Sequence, residues 1–195
     1  MRLYPLYSFD QSGYTITTIK TTKEMIAMRL KSVNPKELSL EALRVFPGRT
    51  PLLTAGDKAA CNTMTIGWGG LGTLWRKPVC TVYVRPSRYT FQFMENHDYF
   101  TVSFLPADRK DALTLCGTKS GRDTDKVAAC GLTLCYGAGD APFFDEAELV
   151  LVCRKLYAQD MQPELVIDAE AAAPLYPEGD WHRVYIGEVV EAYQA

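Results

Sequence analysis

The stretch Cys61-Asn62-Thr63-Met64-Thr65-Ile66-Gly67-Trp68-Gly69-Gly70-Leu71-Gly72 is the strongest constraint on how this chain folds. It follows the short apolar run Pro51-Leu52-Leu53-Thr54-Ala55 across a Gly56-Asp57-Lys58 turn, and two such runs joined by a tight turn predict a β-hairpin. Thr63 and Thr65 are β-branched and favour an extended backbone, while Asn62 adds an amide on a short side chain. Gly67, Gly69, Gly70 and Gly72 leave little side chain to keep a ligand away from the main chain. Such a strand suits a flat, heteroatom-rich ligand gripped along its edge. It equally suits a kinked, glycine-rich barrel strand that binds nothing.

A chain of 195 residues fits one domain with ordinary extensions, and 47% apolar residues suffice for a substantial core. The formal net charge of -2 leaves no electrostatic footprint for nucleic acid or a membrane surface. No apolar run approaches the ~20 residues of a membrane helix, and Met1-Arg2-Leu3-Tyr4-Pro5-Leu6 lacks the apolar length of an export signal. The expectation is a soluble, cytoplasmic protein with no nucleic-acid or membrane partner. Cys61, Cys80, Cys116, Cys130, Cys135 and Cys153 include no C-x-x-C pair, so reduced, packed thiols are expected rather than a disulfide framework. A zinc site built from Cys130, Cys135 and His97 matches no standard ligand spacing, and no metal site is expected.

Residues 1–46 read as an N-terminal extension ahead of a strand-rich domain over 47–195. Tyr14 to Ile19 has strand composition, and Thr22 to Lys31 reads as a short helix. Asn34-Pro35-Lys36-Glu37 reads as a capped helix start, the helix ending before Pro47-Gly48. Lys77 to Val84 is a strand with proline near its start. Arg85-Pro86-Ser87-Arg88-Tyr89-Thr90 then turns into the helical run Phe91 to Asn96, with Ser87 as N-cap. A strand-to-helix junction with a capping hydroxyl, unpaired amides and two arginines is an anion site, in which Arg85, Ser87, Arg88 and Thr90 together hold one phosphate. The alternative is a capped helix whose arginines are merely solvated.

Asp98 to Leu105 is the clearest strand, bulky on both faces like a barrel wall covered outside by helices. Pro106 to Cys116 reads as a helix. Gly117 to Lys126 is a polar, turn-rich loop whose two lysines and one arginine either reach an anionic ligand or face solvent. Val127 to Cys130 is a short helix stopped by Gly131, and Glu146 to Tyr157 and Val184 to Tyr193 are the last strands. Strands with helices inserted between them predict a mainly β chain, a small closed β-barrel with α-helical insertions. No Rossmann fingerprint, Walker loop or G-x-S-x-G elbow occurs.

Six segments, in this order and spacing, resemble the flavin reductase-like, FMN-binding split-barrel family in its flavoredoxin-type branch. They are Leu53-Thr54-Ala55-Gly56-Asp57, Asn62-Thr63-Met64-Thr65, Trp68-Gly69-Gly70-Leu71-Gly72, Val84 to Thr90, Lys119 to Asp123 with Asp125-Lys126, and His182-Arg183 ahead of Tyr185 to Val189. The likeness runs from about Pro47 to Val190. It implies a six-stranded antiparallel Greek-key split barrel, homodimeric, that binds FMN without a covalent bond. By resemblance, Asn62, Thr63, Met64 and Thr65 lie along the ring edge, and Arg85, Ser87, Arg88, Tyr89 and Thr90 hold the phosphate. Lys119, Ser120 and Lys126 approach the flavin from the second loop. Trp68, which also borders the cofactor, and His182 line the face where a second substrate stacks and are the catalytic candidates. Trp181 stands where many relatives have tyrosine or pass directly from Gly-Asp to His. The activity implied is an FMN-dependent oxidoreductase taking hydride from NAD(P)H. The alternatives are an electron carrier served by a protein donor, and a barrel that holds another group such as haem.

Overall fold

The computed structural model describes residues 30–38 and 45–195. The strand expected at Tyr14 to Ile19 and most of the helix expected from Thr22 lie outside the described residues. Its last member, Lys31, is strand: β1 (Lys31–Val33) pairs antiparallel with the end of the chain, Lys31 opposite Gln194. The Asn34 cap is present, its Oδ1 accepting the Lys36 N–H at 3.1 Å, yet it opens only a 3-10 turn over Pro35–Glu37. Helix α1 (Val45–Arg49) runs through Pro47 and Gly48 instead of ending before them. Pro47 falls in its first turn, where the missing N–H has no partner to lose.

The hairpin forms as the local sequence dictates. β2 (Leu52–Gly56) pairs with β3 (Cys61–Thr65) from Leu52 opposite Thr65 to Gly56 opposite Cys61. Gly56 has a φ of 130°, and a Cβ there would lie 2.3 Å from the Ala60 carbonyl oxygen, so only glycine closes this turn without strain. Asp57 then accepts the backbone N–H groups of Ala59 and Ala60 at 2.8 and 3.1 Å. Next come β4 (Gly69–Leu74), β5 (Lys77–Val84), helix α2 (Tyr89–Asn96) and β6 (Tyr99–Phe104). Helices α3 (Lys110–Thr118) and α4 (Lys126–Ala129) flank a polar loop, and Gly131 at φ 58° stops α4 as expected. The short pair β7 (Leu134–Tyr136) and β8 (Pro142–Phe144) follows. The chain closes with β9 (Leu149–Asp160), the small helix α5 (Ala169–Ala172) and β10 (Arg183–Gln194).

The main sheet runs β3-β2-β6-β9-β10-β5-β4, with β1 on β10, and every pairing is antiparallel. This is the expected antiparallel Greek-key barrel with helical insertions, with two differences. Among the described residues the sheet carries eight strands rather than six, because Gly69–Leu74 forms a separate strand on β5 and Lys31–Val33 adds to β10. The barrel is also not closed, since β3 and β4 end the path without bonding to each other. Register shifts at Ile186/Gly187 and Val189/Glu191 bend β10, which serves both β9 and β5.

Strand alternation sorts the core into two faces. Leu53, Phe100, Val102, Leu151, Cys153 and Tyr185 share one cluster with Phe46 of α1 and Met94 of α2. Leu52, Val150 and Val152, on the opposite face, pack against Ala112 and Cys116 of α3 and Phe143 and Phe144 of β8. Among the described residues no helix is long and apolar enough to cross a membrane.

Candidate functional site

Three segments converge at one edge of the barrel: the β3 strand, the start of α2, and the 117–126 loop. Asn62 ties the first two together, its Nδ2 donating to Thr90 Oγ1 at 2.7 Å in a buried contact. The loop presses against both. A Cβ on Gly121 would lie 1.9 Å from Asn62 Oδ1, and one on Gly117 would lie 2.4 Å from Thr65 Oγ1, so both positions need glycine for close approach. By contrast Gly69, read from sequence as ligand-facing, meets the Phe46 ring, which a Cβ would approach to 2.4 Å. That glycine serves packing.

These segments enclose a cavity of about 250 Å³ lined by Asn62, Met64, Thr65, Ser87, Arg88, Tyr89 and Thr90 on one side and residues 116–122 with Lys126 on the other. Arg88, Lys119, Arg122 and Lys126 all reach it, and among the described residues no aspartate or glutamate lines it. Of the expected site residues, Asn62, Met64, Thr65, Ser87, Arg88, Tyr89, Thr90, Lys119, Ser120 and Lys126 are thus brought together. Lys126 is buried, and its Nζ donates to the Thr63 and Cys116 carbonyls at 2.8 and 2.9 Å. Burial holds its ammonium below the usual lysine range. Arg122 lies 4.9 Å over the Tyr89 ring.

Three expected members sit differently. The Thr63 side chain points away from the cavity, donating to the Leu53 carbonyl at 3.3 Å and accepting from Thr54 at 2.9 Å, so the residue contributes its carbonyl to Lys126 instead. Strand alternation places it opposite Asn62 and Met64. Ser87 does not cap α2. Its N–H and hydroxyl both donate to the Asp180 carboxylate, at 3.1 and 2.5 Å, and Arg88 takes the cap position without a side-chain bond. A carboxylate accepting two bonds outcompetes the helix amides for that hydroxyl. Arg85 turns aside as well: its Nη2 donates to the Leu175 carbonyl at 2.7 Å and its guanidinium lies 4.9 Å from the Tyr176 ring centre.

A second cavity of about 190 Å³ adjoins the first and shares Met64, Thr65 and Arg88 with it. Ile66, Gly67, Trp68, Tyr83, Arg85 and His182 complete its wall. The Trp68 and His182 rings are 4.8 Å apart. Tyr176 Oη is 2.7 Å from His182 Nδ1, and Trp181 stacks on Tyr176 at 3.9 Å. Burial, aided by Arg85, pushes His182 down to about 4, so its imidazole is neutral at neutral pH. The unfolded chain takes up this proton near the ordinary histidine value of 6.5 while the folded chain resists it until about 4. Stability is therefore fully present above 6.5 and declines as pH falls toward 4. The thermal midpoint of the wild type is expected to drop across that window, and that of His182→Gln to drop less.

Arg122, the loop arginine read as reaching an anionic ligand or facing solvent, lines the cavity, whereas Gly121, Tyr176 and Asp180 belong to this region without having been among the expected site residues. Arg122 and Gly121 lie in a loop whose charge pattern is visible in sequence. Tyr176 and Asp180 carry no local signal, because what they do depends on a contact made with distant strands. Among the described residues no three His, Cys, Asp or Glu side chains gather as a metal site, and His97 contacts the Phe93 carbonyl and Asp57.

An open antiparallel barrel with a cation-lined cavity beside an aromatic one is a split-barrel architecture. The chain belongs to the flavin reductase like domain family, whose model matches residues 43–195. Its fold is shared with the flavoredoxin from Methanosarcina acetivorans, at 23% identity and TM-score 0.62, covering 82% of this chain and 74% of that one. An FMN-binding protein from Thermus thermophilus aligns at 21% identity and TM-score 0.61, over 82% of this chain and 79% of that one. The flavoredoxin of Desulfovibrio vulgaris aligns at 22% identity and TM-score 0.59, over 82% and 76% respectively. No protein of curated function matches the chain in sequence.

Proposed function

We propose that this chain binds FMN without a covalent bond and acts as an FMN-dependent oxidoreductase that takes reducing equivalents from NAD(P)H. The observation that carries the reading is the first cavity: four cationic side chains, no carboxylate among the described residues, and a wall shared in part with a cavity lined by Trp68 and His182. A phosphate needs the first and a planar aromatic ring the second, and Met64, Thr65 and Arg88 border both. The chemistry of the donor set therefore fits the group. When bound, FMN supplies the one- and two-electron chemistry that side chains lack.

The chain's own residues do the rest. Arg88, Lys119 and Arg122 supply phosphate-binding charge, and Ser120 a hydroxyl. Lys126, locked between two carbonyls, is a preorganised cation that favours negative charge developing beside Met64 and Thr65. His182, neutral and held by Tyr176, offers a second substrate a hydrogen-bonding edge rather than a charge. His182→Ala is expected to lower turnover at least ~10-fold while bound flavin stays within about twofold. Equal loss of both would make it a cofactor or folding residue.

A second reading has its own support. Trp68 is 42% exposed at the mouth of the second cavity, a surface on which a partner protein can dock for electron exchange. Anaerobic addition of NADH and NADPH to the FMN-loaded protein separates the two. Rapid loss of the flavin absorbance supports the oxidoreductase and identifies its donor. A spectrum that neither nucleotide changes supports the electron carrier.

A further inference from the structure

The loop that carries Lys119, Ser120 and Arg122 into the first cavity has a cysteine at each end. Cys116 lies near the end of α3, and Cys130 caps the end of α4. Their sulfurs are 3.9 Å apart, and both are free thiols. Cys116 is 1% exposed and lines the cavity, whereas Cys130 is only half-buried and is the more accessible of the two. Cys130 Sγ also lies 3.8 Å from the Ala112 carbonyl, which keeps it on the α3 side. A disulfide of about 2 Å requires the sulfurs to close only the remaining gap. Cys130 can follow, since Gly131 at φ 58° ends its helix immediately afterwards.

We propose that Cys116 and Cys130 are a peroxide-oxidised thiol pair whose reversible disulfide closes the base of the cation-bearing loop. The oxidant reaches Cys130 first. One peroxide oxygen passes to its sulfur, the O–O bond breaks, and water leaves a sulfenic acid. The Cys116 sulfur then attacks the Cys130 sulfur, the S–S bond forms and the S–O bond breaks. The Cys116 proton leaves with the hydroxyl as a second water, so two thiols are oxidised and one peroxide is reduced. Burial and the neighbouring Cys130 push Cys116 up to about 12, which makes the second step slow at neutral pH. The pair answers to sustained peroxide and is not a fast relay. Once formed, the bridge restricts the opening of residues 117–129 and holds the loop's cations at the cavity. None of this depends on which ligand the cavity takes.

The core contains a built-in control. Cys80 and Cys153 also contact each other, but both are fully buried within the barrel and are expected to stay reduced. The test treats the reduced full-length protein with hydrogen peroxide, then maps it by mass spectrometry after digestion without reductant. The expected product links the Cys116 and Cys130 peptides, is two hydrogens lighter, reverts with dithiothreitol, and is absent from Cys130→Ser. Native trypsin cleavage after Lys119 and Arg122 is expected to slow several-fold on oxidation. A Cys116 that remains alkylatable, or a link to any other cysteine, overturns the pairing. An unchanged cleavage rate with the link formed overturns the loop closure. The wild-type map decides the pairing even if the variant fails to fold.

Discussion

Replacing Arg88 with alanine lowers FMN affinity by roughly 10- to 100-fold, equivalent to losing a charge-assisted contact of about 1.5–3 kcal/mol. Arg88 borders both cavities, and among the described residues its guanidinium forms no ion pair. Its removal strands no buried carboxylate, so the fold stays within about 0.5 kcal/mol of wild type. Arg85→Ala behaves differently. Arg85 holds the Leu175 carbonyl and the Tyr176 ring, so its loss disturbs the second cavity more than the phosphate grip. Titrating flavin-free protein with FMN while following fluorescence checks both. An unchanged affinity for Arg88→Ala removes that residue from the phosphate site.

Lys126→Met costs stability as well as binding. The buried ammonium is the donor for two backbone carbonyls, Thr63 in β3 and Cys116 in α3, and so joins the sheet to the helix that precedes the loop. Methionine keeps the apolar stem but leaves both acceptors without that donor, at about 1–3 kcal/mol each. Relief of a desolvated charge returns part of this, because burial already disfavours the ammonium there. The net expectation is a loss of about 2 kcal/mol, read as a lower urea midpoint with an unchanged slope. If Lys126 served the ligand alone, the midpoint would not move and only FMN affinity would fall.

Local chemistry explains what was legible in the sequence. The β2–β3 hairpin followed from two short runs around Gly56-Asp57, and the structure adds the positive φ and the Asp57 bonds that make that pair necessary. Along β9 the simple alternation of a strand sorts the residues, Leu149, Leu151 and Cys153 falling in one core cluster and Val150 and Val152 in the other. That Arg88 and Thr90 line one cavity was legible because their neighbours in the chain are their neighbours in space. Ser87 and Arg85 belong to the same segment, yet Asp180 and Leu175 compete for them from the far end of the chain. No local rule reports that competition. Thr63 shows a subtler limit: a four-residue motif was read as one surface, whereas a strand offers its faces in turn. Trp181, flagged only as a departure from the family pattern, stacks on the tyrosine that contacts His182. The extra strands came from segments whose pairing partner lies at the other end of the chain or across a tight turn, where composition is silent.

The measurement that tests the central claim most directly compares the binding of FMN with that of riboflavin, which has the same ring and no phosphate. With Arg88, Lys119, Arg122 and Lys126 around a cavity that no carboxylate of the described residues lines, FMN should bind at least ~100-fold more tightly, with the gap narrowing as salt rises. Equal affinity for the two, or no binding of either, would contradict the assignment of this cavity to the flavin phosphate.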